Sequence, residues 1–382
     1  MKIKYSGPED RLSPSAAKAP PPDRYGHPGN ALMKEHLHMK WGIIGLPGSG
    51  KSIVFEALTG STTESGHAEN HRIGTVTLPD DRVDRLSAMY RPRKTIYARV
   101  EYFLPGRTHQ QKETKGDAGI WVAVRDCDAL LHVVRNFGAY DDAAATPDQD
   151  FIRIEQELIL NDLMVVEKRL ERLALDQKRG QKINPEELSL LQSCRTSLED
   201  ETPLRDNQDL SSAPALRGFA FLSAKPLLVL FNNADEDERM PEGSRFKTSE
   251  QALVVRGRLE RELAQMADED LADFAAEYHI SASALDRVVR KSYALLGLIS
   301  FFTVGSDEVR AWTIAHNTVA VDAAGAIHSD IKKGFIRAEV VSYADLMAAG
   351  DYKEARKQGT VRLEGKTYRV QDGDIINFRF NV

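Results

Sequence analysis

The sequence predicts an α/β fold: a mostly parallel sheet behind a phosphate-binding loop, interrupted by a helical hairpin and followed by a small α+β module. Three features support this. The stretch Trp41 to Gly60 runs from an apolar strand through a glycine-rich turn into an apolar helix. Continuous apolar runs recur at Ala129 to Val134 (ALLHVV) and Leu227 to Phe231 (LLVLF), as strands buried on both faces require. From Phe301 onward the pattern changes to short strand-like segments with turn dipeptides at Glu364-Gly365 and Asp372-Gly373.

The turn Gly45-Leu46-Pro47-Gly48-Ser49-Gly50-Lys51-Ser52 fits G-x-x-x-x-G-K-[ST] at every fixed position. Glycines let successive backbone N–H groups turn inward into one anion-binding concavity. The helix that follows aims its positive end at the same place. In this reading Lys51 reaches the β- and γ-phosphates and the Ser52 hydroxyl sits on Mg²⁺. The bland alternative is a chance glycine turn, which the flanking strand and helix disfavour.

The chain has 382 residues, 42% hydrophobic and 28% charged, an ordinary globular composition long enough for two or three domains. Its net charge of -6 excludes a global basic field, so any RNA contact must be a local patch. No apolar run approaches the roughly 18 residues of a membrane span. Two cysteines, Cys127 and Cys194, make no disulfide framework and fit a reducing cytosol. Both lie in apolar-patterned segments and are expected as buried small hydrophobes rather than redox or metal groups. Residues 1–38 carry Pro8, Pro14, Pro20, Pro21, Pro22 and Pro28 among Ser, Lys and Asp, the composition of a disordered tail without a signal-peptide core. His36 and His38 read as solvated tail histidines rather than metal ligands. Met39 stands just before the first core strand, so the tail is expected to be dispensable or a matter of start-codon choice.

After the loop, Ser61 to His71 is short and polar. Thr62 and Thr63 are available to a metal there, and a plain linker is an equal reading. Ile73 to Leu78 alternates as a strand, and Pro79-Asp80-Asp81 opens a helix around Val83, Leu86 and Met89. Ile96 to Phe103 (IYARVEYF) alternates as one further strand, ended by Leu104-Pro105-Gly106. Trp121 to Val124 reads as helical. His132, inside the buried run, is expected as a hydrogen-bonded core histidine. Leu253 to Val255 is a weaker strand. Strands alternating with helices behind such a loop imply a parallel sheet with its ligand at the strand carboxyl ends. Ile159, Leu163, Val166, Leu170 and Leu173 recur at heptad spacing, and Leu188, Leu191, Cys194 and Leu198 repeat it after a polar break. Two antiparallel helices sharing one seam fit this, either as an inert solvated hairpin or as an arm contacting a large partner. Glu260 to Glu277 and Leu285 to Leu298 read as helices. Strands are expected at Phe301 to Val304, Thr318 to Val321, Gly334 to Tyr343, Val361 to Leu363, Thr367 to Val370 and Ile375 to Phe380. Lys332, Lys333 and Arg337 form the module's basic group, a candidate for phosphate backbone or a solvated surface.

The sequence resembles the YchF, or Obg-like, ATPases of the TRAFAC P-loop group. Besides the phosphate loop, the similar stretches are TLPDDRVDRL (Thr77 to Leu86), DALLHVVRNF (Asp128 to Phe137), ELILNDLMVVEKRLERL (Glu157 to Leu173), AKPLLVLFNNADED (Ala224 to Asp237), LLGLISFFTVGSDEVRAWTI (Leu295 to Ile314), GFIRAEVVSY (Gly334 to Tyr343) and RLEGKTYRVQDGDIINFRFNV (Arg362 to Val382). The resemblance implies a parallel-sheet P-loop G-domain (39–150 and 218–300), an inserted antiparallel coiled-coil hairpin (151–217) and a C-terminal TGS-like β-grasp domain (301–382). It further implies a cytoplasmic, ribosome-associated protein that binds Mg²⁺ with ATP, or with GTP.

Residue by residue, it implies that Gly45, Gly48, Ser49, Gly50, Lys51, Ser52 and Ile53 hold phosphates, with Ser52 on the metal. It also implies that Asn232, Asn233 and Asp235 read the base, against the alternative of a strand-ending turn. Asp235 departs from the family's Glu, toward the Asp that ordinary GTPases use; Asn233 is not their Lys, which favours ATP. Where the family has D-x-x-G, this sequence has Phe103-Leu104-Pro105-Gly106. Arg256-Gly257 stands in place of a Ser-Ala pair. Loss of the Asp implies weakened metal binding and slow hydrolysis. Two main readings follow, a slow translation-associated NTPase and a non-hydrolysing nucleotide-binding scaffold for ribosome or RNA partners. A small-molecule kinase would need an acceptor pocket and lid that the sequence does not offer.

Overall fold

The structure, a computed structural model, describes residues 40–61, 70–106, 118–138, 145–242, 251–266 and 284–381. The expectations for the N-terminal tail, His36, His38, Thr62 and Thr63 lie outside the described residues.

The first sheet has the order β2-β4-β1-β5-β6-β7. Its strands are β1 (Lys40–Ile44), β2 (Arg72–Thr77), β4 (Arg99–Leu104), β5 (Ala129–Asn136), β6 (Leu227–Asn233) and β7 (Ala252–Val255). All neighbours are parallel except β2, which runs antiparallel to β4. β5 and β6 are buried over nearly their whole length, as their unbroken apolar runs require. Helix α1 (Lys51–Thr59) follows β1, and α2 (Asp81–Tyr90) is capped by Asp80, whose carboxylate accepts from the Arg82 N–H. Helix α3 (Ala118–Val124) precedes β5.

The heptad expectation corresponds to α4 (Pro147–Lys178, 32 residues) and α5 (Pro185–Glu199), packed as a hairpin. Ile159, Val166, Leu173, Leu191, Cys194 and Leu198 form its seam, with Leu163, Leu170 and Leu188 half-buried beside them. Arg169 bridges to Glu187 across the hairpin at 2.7 Å. The root of the hairpin is fixed by Asp162, which is fully buried in α4. Its carboxylate accepts from the backbone N–H groups of Leu222 (2.9 Å) and Ser223 (2.6 Å) and faces the Arg125 guanidinium at 3.4 Å. Burial raises the Asp162 pKa above the usual carboxylate range, and those two N–H groups and Arg125 oppose the rise. Beside it the Trp121 indole donates to Glu157.

The second sheet has the order β11-β10-β12-β8-β9-β3. It comprises β3 (Lys94–Ile96), β8 (Leu298–Val304), β9 (Glu308–Ala315), β10 (Phe335–Ser342), β11 (Arg362–Glu364) and β12 (Asp374–Phe380). Helix α6 (Gly257–Leu263) follows β7, and α7 (Ala284–Leu295) enters β8 through Gly297 at φ 63°. Helix α8 (Ala320–Ile327) covers one face of the second sheet. One hydrophobic core runs through both sheets, from Trp41 and Leu131 to Phe302, Val341 and Ile375.

The structure corrects several expectations. Ile96 to Phe103 is not one strand: Lys94–Ile96 pairs with β9 in the second sheet and Arg99–Leu104 with β1 and β2 in the first. Continuous alternation cannot reveal that the chain changes sheets at Tyr97-Ala98. The expected strand Thr318 to Val321 is only half extended: Val319 makes a single bridge, and Ala320 and Val321 begin α8, where Ala320, Ala323 and Ala324 place small side chains at helical spacing against the second core. Thr367 to Val370 forms only a single bridge, Val319 with Arg369. β9 and the short helices Tyr343–Ala349 and Tyr352–Lys357 were not legible as separate elements. The second sheet begins at Leu298 rather than Phe301 and takes its edge strand from residues 94–96.

Asp162→Ala would leave two buried N–H groups and Arg125 without their acceptor. We expect a loss of about 3–5 kcal/mol in unfolding free energy. A denaturant titration showing less than about 1 kcal/mol would contradict this account of the hairpin root.

Candidate nucleotide-binding site

β1, paired with the parallel β5, delivers the chain to the carboxyl end of the first sheet, where the loop 45–50 leads into α1. Gly45, Gly48 and Gly50 have φ of 145°, 78° and 92°, values that side-chain-bearing residues rarely adopt. At Gly45 a Cβ would also lie 2.3 Å from the Val133 carbonyl, and at Gly50 it would lie 2.1 Å from Asn232 Nδ2. Gly48 has open space on its Cβ side. The Lys51 ammonium folds back over the loop, donating to the carbonyls of Gly45 (2.7 Å) and Leu46 (2.8 Å). Ser49 is buried, and its Oγ has no hydrogen-bond partner. The Ser52 residue is exposed at the first turn of α1 and Ile53 is half-buried.

Asn232 is the penultimate residue of β6 and is 3% exposed. Its Nδ2 donates to the Ser49 carbonyl at 3.0 Å, and its Oδ1 accepts from the Gly257 N–H at 2.9 Å. A Cβ at Gly257 would sit 2.7 Å from that Oδ1, so the glycine permits the approach. One buried amide therefore ties the loop, β6 and the start of α6 together, while one amide hydrogen and one oxygen lone pair remain for another group.

Asn233 is also buried, and its side chain is turned to the protein. It donates to the carbonyls of Asp237 and Arg239 and accepts from Asn136 Nδ2 at 2.9 Å. Asp235 accepts from the Leu259 N–H at 3.2 Å. Arg256 pairs with Glu238 at 2.7 Å. The structure thus brings Gly45 to Ser52 and Asn232 together, and holds Asn233 and Asp235 through contacts to neighbouring backbone.

At the end of β4, Phe103 is buried and packs against His71 in a tilted arrangement, with ring centroids 5.3 Å apart and planes at 43°. The Gly106 N–H donates to His71 Nδ1 at 3.1 Å. Sequence reasoning missed His71 and Asn136 and marked Gly257 only as a departure from the family's Ser-Ala pair, since nothing in their local pattern announces these long-range partners. His132, expected as a hydrogen-bonded core residue, is buried and stacked on Phe151 at 5.5 Å. Burial, with Arg205 and Lys51 nearby, lowers its pKa from 6.5 to about 3. Burial pushes the Cys127 thiol up to about 12 and Cys194 to about 11, which suits their packing role. Among the described residues, no group of three His, Cys, Asp or Glu side chains could hold a metal ion by itself. Among them, too, no helix is long and apolar enough to cross a membrane.

Residues 298–381 match the family model YchF-GTPase_C, described as a protein of unknown function (DUF933). The chain is 36% identical over 361 residues to the ribosome-binding ATPase YchF of Bacillus subtilis (strain 168), covering 89% of this chain and 99% of that protein. The chain belongs to the YchF family. The ribosome-binding ATPase YchF of Haemophilus ducreyi is 37% identical over 363 residues, covering 91% of this chain and 100% of its own length. The Schizosaccharomyces pombe YchF GTPase structure aligns with a TM-score of 0.76 at 26% identity, over 89% of this chain and 97% of that one. A GTP binding protein from Pyrococcus horikoshii OT3 shares the fold, with a TM-score of 0.53 at 17% identity over 90% of this chain and 100% of that one.

Two outcomes test the site's construction. Asn232→Ala would orphan the Ser49 carbonyl and the Gly257 N–H, and thermal unfolding should register a loss of about 2–4 kcal/mol. His132 is neutral in the fold but protonates near 6.5 when unfolded. Its contribution is therefore complete above pH 6.5 and falls as the pH drops toward about 3. The loss should be on the order of a few kcal/mol, and His132→Leu should flatten that part of the stability profile. Parallel profiles for the two proteins would refute the assignment.

Proposed function

We propose that the chain is a purine-nucleotide-binding protein of the YchF type, acting with ribosomes in the cytoplasm, in which hydrolysis is slow. The observation that carries this reading is the loop itself. Its glycines hold positive φ, its lysine ammonium is seated over the loop carbonyls, and Asn232 braces it from below. Such a concavity suits a polyphosphate. In this reading Gly45, Gly48, Ser49, Gly50, Lys51, Ser52 and Ile53 hold the phosphates.

The residues fit Mg²⁺ bound together with the nucleotide better than Mg²⁺ alone. The chain would offer the exposed Ser52 hydroxyl, and the phosphates would supply further oxygens. The ion, when bound, would neutralise phosphate charge. At the place of the family's acidic residue Phe103 is packed in the core, which supports weakened metal contact and slow turnover.

For the base, Asn232, Asn233 and Asp235 remain the candidates, and Asn233 in place of the GTPase Lys favours ATP over GTP. The side-chain bonds of Asn233 and Asp235 support a role in shaping the wall, with Asn232 best placed for direct contact. Bacterial relatives at 36–37% identity over nearly their whole length are ribosome-binding ATPases, which supports a ribosome or RNA partner here. The hairpin and the C-terminal module (with Lys332, Lys333 and Arg337) are the surfaces proposed for it. The buried Phe103 favours a second reading, a nucleotide-binding scaffold that does not hydrolyse.

Binding and turnover of ATP and GTP, measured side by side on one preparation, decide between them. Lys51→Ala should weaken nucleotide binding by about tenfold or more. Turnover abolished by that substitution supports the slow NTPase, and binding without turnover supports the scaffold. Absence of binding by either nucleotide would remove the nucleotide reading.

A further inference from the structure

We propose that His71 is an internal cap on the Gly106 amide that suppresses recognition of a terminal phosphate. The site would then bind nucleoside di- and triphosphates with nearly equal affinity. The proposal rests on the reading of the 45–52 loop as a polyphosphate cradle.

The placement follows from strand register. β1 and β4 are parallel, with Gly42 opposite Phe103. Three residues further on, Gly45 opens the phosphate loop and Gly106 follows β4, so both leave the sheet at its carboxyl end. A polyphosphate lying on the loop would send its distal group toward this end, where a backbone N–H is the natural donor to it. Here that N–H is already used: Gly106 donates to His71 Nδ1 at 3.1 Å. The imidazole accepts at Nδ1 and therefore carries its proton on Nε2.

The imidazole is held where it is from two sides. Arg72, the next residue, pairs with Leu104 in the β2–β4 ladder. The ring also packs, tilted by 43°, against Phe103, a buried side chain that the Lys40 ammonium covers at 4.5 Å from its ring centroid. Phe103, His71 and Gly106 thus form one connected unit, with a tilted aromatic pair in place of a carboxylate and the imidazole at the surface. A terminal phosphate could take the Gly106 N–H only by displacing the imidazole, and an exchange of one acceptor for another gains little. A diphosphate, which does not extend to Gly106, would be indifferent to the cap.

The test is calorimetric titration of the full-length protein with ADP, ATP and the β,γ-imido analogue of ATP in excess Mg²⁺. It compares wild type, His71→Ala and His71→Gln, each checked by thermal melting. Wild type should bind the three ligands with similar Kd. His71→Ala should tighten ATP and its analogue by about threefold to tenfold while leaving ADP unchanged, the worth of one freed hydrogen bond. His71→Gln, which keeps an acceptor, should fall between. Equal ADP and ATP affinities in both wild type and His71→Ala would overturn the cap while leaving the loop reading intact. A wild type that already prefers ATP tenfold would overturn it too. Failure of every variant to bind any of the three ligands would instead remove the cradle reading, and this proposal with it.

Discussion

The site depends on one buried carboxamide. Asn232 is buried, so its carboxamide depends on partners within the protein. They are the Ser49 carbonyl on one side and the Gly257 N–H on the other. That requirement fixes where the loop can sit relative to β6 and α6. It also explains two of the glycines. A methyl group at Gly50 or Gly257 would collide with the carboxamide it must approach. The shape of the loop is therefore a tertiary property of three segments that are far apart in sequence.

The hairpin is joined to this sheet by an analogous device. Asp162 has its charge met by two backbone N–H groups of the returning chain and by Arg125, one residue beyond α3. The neighbouring Trp121 to Glu157 bond ties α3 to the same helix. Ridge packing alone would let the hairpin slide along its seam, whereas a buried carboxylate with directional partners admits one register. The second sheet is joined differently. It borrows β3 as its edge strand and shares an apolar core with the first. Arg82 adds an ion pair to Asp372, whose other oxygen accepts from the Ser300 N–H. Helix α7 completes the junction, with Ser292 meeting the Tyr102 hydroxyl and Tyr293 meeting Ser300 and Thr313.

The two ends of the candidate site differ in character. The loop end keeps the geometry that gathers anions, with positive φ at its glycines and an ammonium over its carbonyls. The β4 end is built of Phe103 and His71, an aromatic pair that neither attracts a cation as a carboxylate does nor leaves the Gly106 N–H open.

Local chemistry settled much of this protein before folding was considered. The loop spacing, the strand and helix flanking it, the doubly buried runs of β5 and β6, and the heptad seam of the hairpin are all short-range patterns. Each depends on side chains a few residues apart, so the sequence displays it directly. Other features were settled only by the fold. That residues 94–96 pair with β9 while 99–104 pair with β1, that Asn232 braces Ser49, and that His71 caps Gly106 all require partners brought together across tens to hundreds of residues. Alternation states which face of a strand is apolar, not which sheet receives it, and a polar side chain does not name its partner. Those choices are made when burial leaves each hydrogen-bonding group only one place to be satisfied.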